Sequence, residues 1–307
     1  MPAMPAMPVD TITRRELLAQ ASVPALASGS RRFIKGICAA LFPPSASYLD
    51  CMKQAKSAGF DAVELRLGTN GIPFDCTPDA ARRAGDAAAE MRIEIASLWA
   101  LTPGSPSLAS PKRSVSDEAH SRVRKAIELA PALRCGAILV TPAVLGRGPV
   151  METTSDDAWT RSTAAFREFL PEAARSRVLL TPENVWSRFL VSPRDMRAFV
   201  DQFQSNSIAV HFDVGNTLQY GYPEDWIASL GARIRRLHLK DYKLSSRASQ
   251  GGFAPLLEGD VQWSSVMAAL SKAGYRGYVT AETAFDNSDP GALRKVSRAM
   301  DTILEMA

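Results

Sequence analysis

Eight short stretches of the chain are dominated by apolar residues, and each is followed by a longer stretch in which apolar positions recur at three- and four-residue intervals. The first four are FIKGICAAL (33–41), AVELRL (62–67), IEIASLWA (93–100) and AILVTPAV (137–144). The second half adds RVLLTPE (177–183), IAVHFDV (208–214), IRRLHLKD (234–241) and GYVTAET (277–283). Apolar runs of this length read as strands buried on both faces. The segments between them, such as DAARRAGDAAAEM and WSSVMAALSKAG, read as amphipathic helices. Ser192-Pro193 and Asp289-Pro290 have the form of helix starts, a capping side chain before a proline. Strands alternating with helices build right-handed βαβ units and a parallel sheet. Eight units close on themselves as a single (β/α)8 TIM barrel. A doubly wound sheet would instead carry a glycine-rich phosphate turn, and neither GxGxxG nor GxxxxGK[ST] follows any strand.

The barrel is expected over residues 32–307. Residues 1–31 stand apart: MPAMPAMPVD is of low complexity, and Arg14-Arg15, Leu17-Leu18 and Ala25-Leu26-Ala27 follow in the order of a twin-arginine export signal. Its apolar stretch is short and carries Gln20 and Pro24, which suits a plain N-terminal extension equally well. Periplasmic and cytoplasmic locations both stay open.

The last four strands each end on a polar residue: Glu183, Asp213, His238 and Glu282. In such barrels the active site lies at the C-terminal strand ends, so consecutive strands bring these four to one rim. Any one alone would serve as well to cap a helix or to pair with an arginine. Together they pose a problem, because three crowded carboxylates repel one another. A divalent cation removes it, and three carboxylates with one imidazole suit Mn2+ foremost, then Mg2+ or Co2+, with Zn2+ also admissible. His211, two residues before Asp213, is read as packing behind this set.

Composition narrows the partners. Of 307 residues, 46% are hydrophobic and 22% charged, which suits a globular enzyme; the net charge is only +4, and aromatics make up 7% with no basic stripe among them, so no nucleic-acid partner is expected. No run approaches the ~20 apolar residues of a membrane span. The four cysteines have no paired spacing and are expected as buried free thiols.

The segments AGFDAVELR (58–66), PENVWSRFLVSP (182–193), FDVGN (212–216), GYPEDWI (221–227), RRLHLKD (235–241), GDVQW (259–263) and GYRGYVTAE (274–282) resemble the xylose isomerase-like barrel superfamily. The resemblance lies with its sugar phosphate isomerase/epimerase group, in the ketose 3-epimerase and hexulose-phosphate isomerase-like branch, and covers residue 33 to the end. It implies a metal held by Glu183, Asp213, His238 and Glu282, with Glu183 and Glu282 also exchanging protons with a small-molecule carbohydrate. A metal bridging a ketose carbonyl and its neighbouring hydroxyl would acidify the C–H between them and stabilise the enediolate. Epimerase and aldose–ketose isomerase differ only in where the second proton lands. A homodimer or homotetramer is compatible with this reading.

Substrate contacts are expected from Glu64, Trp99, Asn184, Trp186, Asn216 and Lys240. Glu64 would bond substrate or pair with Arg66; Trp99 and Trp186 would stack on a sugar face or pack in the core or at the rim; Asn184 would orient Glu183, which it follows, or a substrate oxygen. Asn216 stands where many ketose 3-epimerases carry histidine. Lys240 would reach a sugar oxygen or a phosphate, or pair with Asp241 or Glu258, and the glycine-rich 246–253 could join a phosphate site. Alternatives are a metal-dependent lyase or C-glycoside-deglycosylating subunit on a keto-sugar, and a non-catalytic sugar-binding barrel. Three histidines are too few for an endonuclease-IV-like trizinc site, and no second metal site of the xylose isomerase kind is found.

Overall fold

The computed structural model describes residues 32–68, 71–245, 251–284 and 289–307. The twin-arginine segment and residues 246–250 of the glycine-rich loop, with Arg247, lie outside the described residues. The eight expected strands form as β1 (Phe33–Cys38), β2 (Ala62–Arg66), β3 (Glu94–Leu101), β4 (Ala137–Val140), β5 (Leu179–Pro182), β6 (Val210–Asp213), β7 (Ile234–Leu239) and β8 (Gly277–Ala281). The helices after them are α1 (Tyr48–Ser57), α2 (Pro78–Glu90), α3 (Arg113–Leu129), α4 (Ser155–Ser176), α5 (Pro193–Asp201), α6 (Pro223–Leu230), α7 (Trp263–Lys272) and α8 (Ala292–Leu304).

All pairings in the main sheet are parallel, in the order β5-β4-β3-β2-β1-β8-β7-β6. The ring closes between β5 and β6 through the bridges Leu180↔Ile208 and Glu183↔His211. It is a (β/α)8 barrel. Local chemistry explains where elements begin and stop. Ser47, Thr77, Thr154 and Ser192 cap their helices, and proline follows Thr77 and Ser192 directly, so the first turn loses no needed N–H. The expected run 137–144 stops as a strand at Val140, because Pro142 has no N–H to continue a ladder. The start expected at Asp289-Pro290 falls later: Asp289 Oδ1 accepts the Gly291 N–H at 2.7 Å, and α8 begins at Ala292.

Burial follows the layers. The barrel–helix interface is one continuous apolar core, with Phe166, Phe169 and Phe199 fully buried. Inside the barrel, Ile34, Ala62, Ala96 and Tyr278 cluster near the strands' N-terminal ends, as do Ala137, Leu179 and Ala209. Arg236 lies over the Tyr278 ring at 4.7 Å and donates to the Ala96 carbonyl, plugging this end. The opposite end is left to polar chemistry. Cys38, Cys51 and Cys135 are buried; Cys76 is only half-buried, a departure from the expectation for all four.

Candidate metal centre

Glu183 and Glu282 are the first residues beyond β5 and β8, Asp213 ends β6, and His238 is the penultimate residue of β7. Register does the rest: Asp213 lies opposite His238 in the ladder, and the Glu282 N–H donates to Leu239 O. One ligand atom from each of the four falls within 4.8 Å of the others. His238 Nδ1 stands 3.1 Å from Glu183 Oε1, 3.2 Å from Glu282 Oε2 and 3.8 Å from Asp213 Oδ2. Oxygen and nitrogen ligands around an ion at about 2.1 Å would sit about 3 Å apart when adjacent and about 4.2 Å when opposite, so the set fits a divalent cation. Asp213 Oδ2 is buried with no well-aligned hydrogen bond among the described residues, and the cation that faces it is the Lys240 ammonium at 3.1 Å, so the atom calls for positive charge without itself requiring a metal.

Electrostatics separate the carboxylates. Burial pushes Glu183 up to about 7 against the pull of His238. Asp213 is also raised by burial, with Lys240 opposing. Glu282 suffers the same desolvation, but Lys240 and His238 outweigh it and hold the group at about 2. The Lys240 ammonium lies 2.7 Å from Glu282 Oε2 and 3.1 Å from Asp213 Oδ2, with its side chain 12% exposed. Among the described residues those two carboxylates, rather than Asp241 or Glu258, are its ion-pair partners. A bound divalent ion would pull all three carboxylates down.

The residues around the cage take definite places. Asn184 clamps the main chain of Asp213 from both sides: its Nδ2 donates to Asp213 O at 2.8 Å, and its Oδ1 accepts the Asp213 N–H at 2.7 Å. It thus holds Asp213 in place rather than Glu183, the residue it follows. The Asn216 N–H donates to Asp213 Oδ1 at 2.8 Å, while its side-chain Nδ2 is buried with no hydrogen-bond partner among the described residues. Trp186 donates its indole N–H to Asn216 O at 2.9 Å and stacks on Phe253 at 4.7 Å. Glu64, expected against substrate or Arg66, is instead fully buried and bonded to Ser97, Trp99 and His238. Trp99 is buried, spends its N–H on Glu64 and lies against the His238 ring at 5.8 Å, the core packing expected as the alternative to a sugar face. His211 sits behind the set, 4.1 Å from the His238 ring centre, and burial keeps it neutral.

Two contributors escaped the sequence reading. Asp241 is buried and gathers the loop before α7, accepting from the N–H groups of Tyr242, Leu257 and Val261 and from the Trp263 indole. The pairing of Lys240 with Asp241 in LHLKD was the available signal. A small hairpin, Asp241–Lys243 with Gly252–Ala254, carries Tyr242 and Phe253 to the rim near Trp186. Its strands are only three residues each, too short for a pattern to mark them.

Backbone contact holds the loop after β6 in place. A methyl group on Gly215 would come within 2.5 Å of the Lys240 carbonyl oxygen. Gly215→Ala should therefore cost about 1–3 kcal/mol in chemical denaturation, as overpacking does. It should also weaken metal binding, since Asn216 N–H would move off Asp213; an unchanged midpoint would show that this loop can shift freely.

Comparison with known proteins supplies the family. A family model described as a xylose isomerase-like TIM barrel matches residues 52–303. No curated protein matches the chain in sequence. Among solved structures, a D-psicose 3-epimerase from Clostridium cellulolyticum H10, determined with D-tagatose, superposes with a TM-score of 0.74 at 18% identity, covering 89% of this chain and 99% of that one. An L-ribulose 3-epimerase gives 0.72 at 19% identity, covering 89% and 94%. A 3-keto-D-glucoside 4-epimerase from E. coli gives 0.70 at 13% identity, covering 89% and 99%. At such identities the likeness is one of fold. The family match spans most of the sequence and the barrel is complete, so the chain belongs to the xylose isomerase-like TIM barrel family.

Proposed function

We propose that the chain is a divalent-metal-dependent sugar epimerase or isomerase that moves a proton at the carbon beside a ketone, through an enediolate. The observation that carries this reading is the pair Glu183 and Glu282, whose carboxylates flank His238 Nδ1 at 3.1 and 3.2 Å. A divalent ion held by Glu183, Asp213, His238 and Glu282, Mn2+ foremost, would polarise the carbonyl and acidify the adjacent C–H. The chain's own groups do the rest. One of the two glutamates takes the proton, and the other returns one; the carbon that receives it decides between epimerisation and isomerisation. The Lys240 ammonium, 2.7 Å from Glu282 Oε2, adds positive charge where negative charge develops on the sugar. The buried, unpartnered Asn216 Nδ2 is a donor for a substrate hydroxyl. Trp186 and Phe253 offer an aromatic wall to the apolar face of a sugar.

A lyase acting on a keto-glycoside is the second reading. It would use the same metal and bases, and Asn216, at the position where the resemblance leads one to expect histidine, makes a free ketose a less secure substrate. One experiment separates the outcomes. The Mn2+-supplemented protein is incubated in D2O with free ketoses, phosphorylated ketoses and 3-keto-glycosides. Deuterium should enter beside the ketone with the carbon skeleton kept, cease on chelation with EDTA and return with Mn2+. Elimination products would make the protein a lyase. Metal binding without exchange on any substrate would make it a binding protein and sink the proposal.

A further inference from the structure

We propose that Glu64 is a positioning residue of the metal centre. Its buried carboxylate keeps the proton on His238 Nε2, leaving Nδ1 as the nitrogen that faces Glu183, Asp213 and Glu282. The inference rests on the metal reading above and concerns a residue outside the four-membered ligand set.

Glu64 ends nowhere near solvent. It is fully buried on β2, and an unpaired carboxylate there would be strongly unfavourable. Every group around it can donate. Oε1 accepts the Trp99 indole N–H and lies 2.8 Å from His238 Nε2; Oε2 accepts the Ser97 hydroxyl and lies 3.7 Å from His211 Nε2. Trp99 and Ser97 therefore fix the carboxylate, and the carboxylate fixes the imidazole. Two further rings bracket His238, Trp99 at 5.8 Å and His211 at 4.1 Å between centres, so the imidazole has no room to turn over. A histidine that gives one ring N–H to a carboxylate presents the other nitrogen as a more basic, correctly aimed ligand. Ser97 and Trp99 lie two residues apart on β3, beside Glu64 in the β2–β3 ladder, so one local pairing builds the whole support.

The test measures metal binding and ring chemistry rather than turnover. In 15N-histidine NMR of the wild-type protein loaded with Zn2+, His238 should show a protonated, hydrogen-bonded Nε2 and a metal-bound Nδ1. Binding through Nε2 would overturn the proposal, and this measurement decides the matter even if a variant fails to fold. Mn2+ affinity, read by electron paramagnetic resonance, should fall about 10- to 100-fold in Glu64→Ala. Glu64→Gln keeps an acceptor for Nε2–H and should bind more tightly than Glu64→Ala. A folded Glu64→Ala protein with wild-type Mn2+ affinity would overturn the role of Glu64 alone, whereas a wild-type protein that binds neither metal would overturn the metal centre itself.

Discussion

Glu282→Gln should stop proton exchange into substrate almost completely, by about 10³-fold or more at saturating Mn2+, while leaving the barrel folded. Glutamine fills the same space and keeps an oxygen toward the cage, so packing changes little. What disappears is a group that can take up a proton, and general acid–base catalysis by one residue contributes about 10²–10⁴-fold. The position itself is rigid, since the Glu282 N–H is tied to Leu239 O beyond the end of β8. Its side chain is 22% exposed, against 5% for Glu183 and none for Asp213, so of the three carboxylates it is the most open to an entering substrate. The substitution also removes one anionic ligand, so Mn2+ affinity must be measured alongside exchange. If exchange persists within about tenfold of wild type with the site saturated, Glu282 is not a proton-transfer group and the two-glutamate mechanism falls.

The same residues show how far sequence carries. Strands 1–8 were legible because barrel strands buried on both faces leave long apolar runs. The four candidate ligands stood out as a set because polar residues closing four consecutive strands share a rim, although any one alone would serve as well to cap a helix or to pair with an arginine. Depth was not legible. Glu64 and His238 are each polar residues near the C-terminal end of an apolar strand, yet one lies under the other, because strand stagger around a barrel fixes height and a linear sequence does not record it. Direction was equally hidden: Asn184 follows Glu183 immediately but turns its amide onto the backbone of Asp213. Lys240 offered several partners along the chain, and only closure of β6, β7 and β8 into one ring selected Asp213 and Glu282.

That selection has a measurable consequence for stability. Glu183, Asp213 and Glu282 bring up to three negative charges to one small volume, and Lys240 is the ammonium that answers two of them. Lys240→Met keeps most of the side-chain volume and removes the charge. Breaking a buried ion pair by deleting one partner costs about 3–5 kcal/mol, because the remaining charge stays buried and uncompensated. The metal-free variant should therefore unfold at markedly lower temperature or denaturant concentration than metal-free wild type. Metal should reverse the order of effects. A divalent ion entering the wild-type cage adds to positive charge already present, whereas in the variant it meets carboxylates with no other counter-ion. Ligand binding stabilises the folded state by RT ln(1 + [L]/Kd), so a tighter site gives a larger rise at the same Mn2+ concentration. The expected result of calorimetry with and without Mn2+ is a lower baseline and a larger metal-induced increase in the variant. Equal baselines and equal increments would show that Lys240 is not the counter-ion of the cage, and its ammonium would then be free to serve substrate alone.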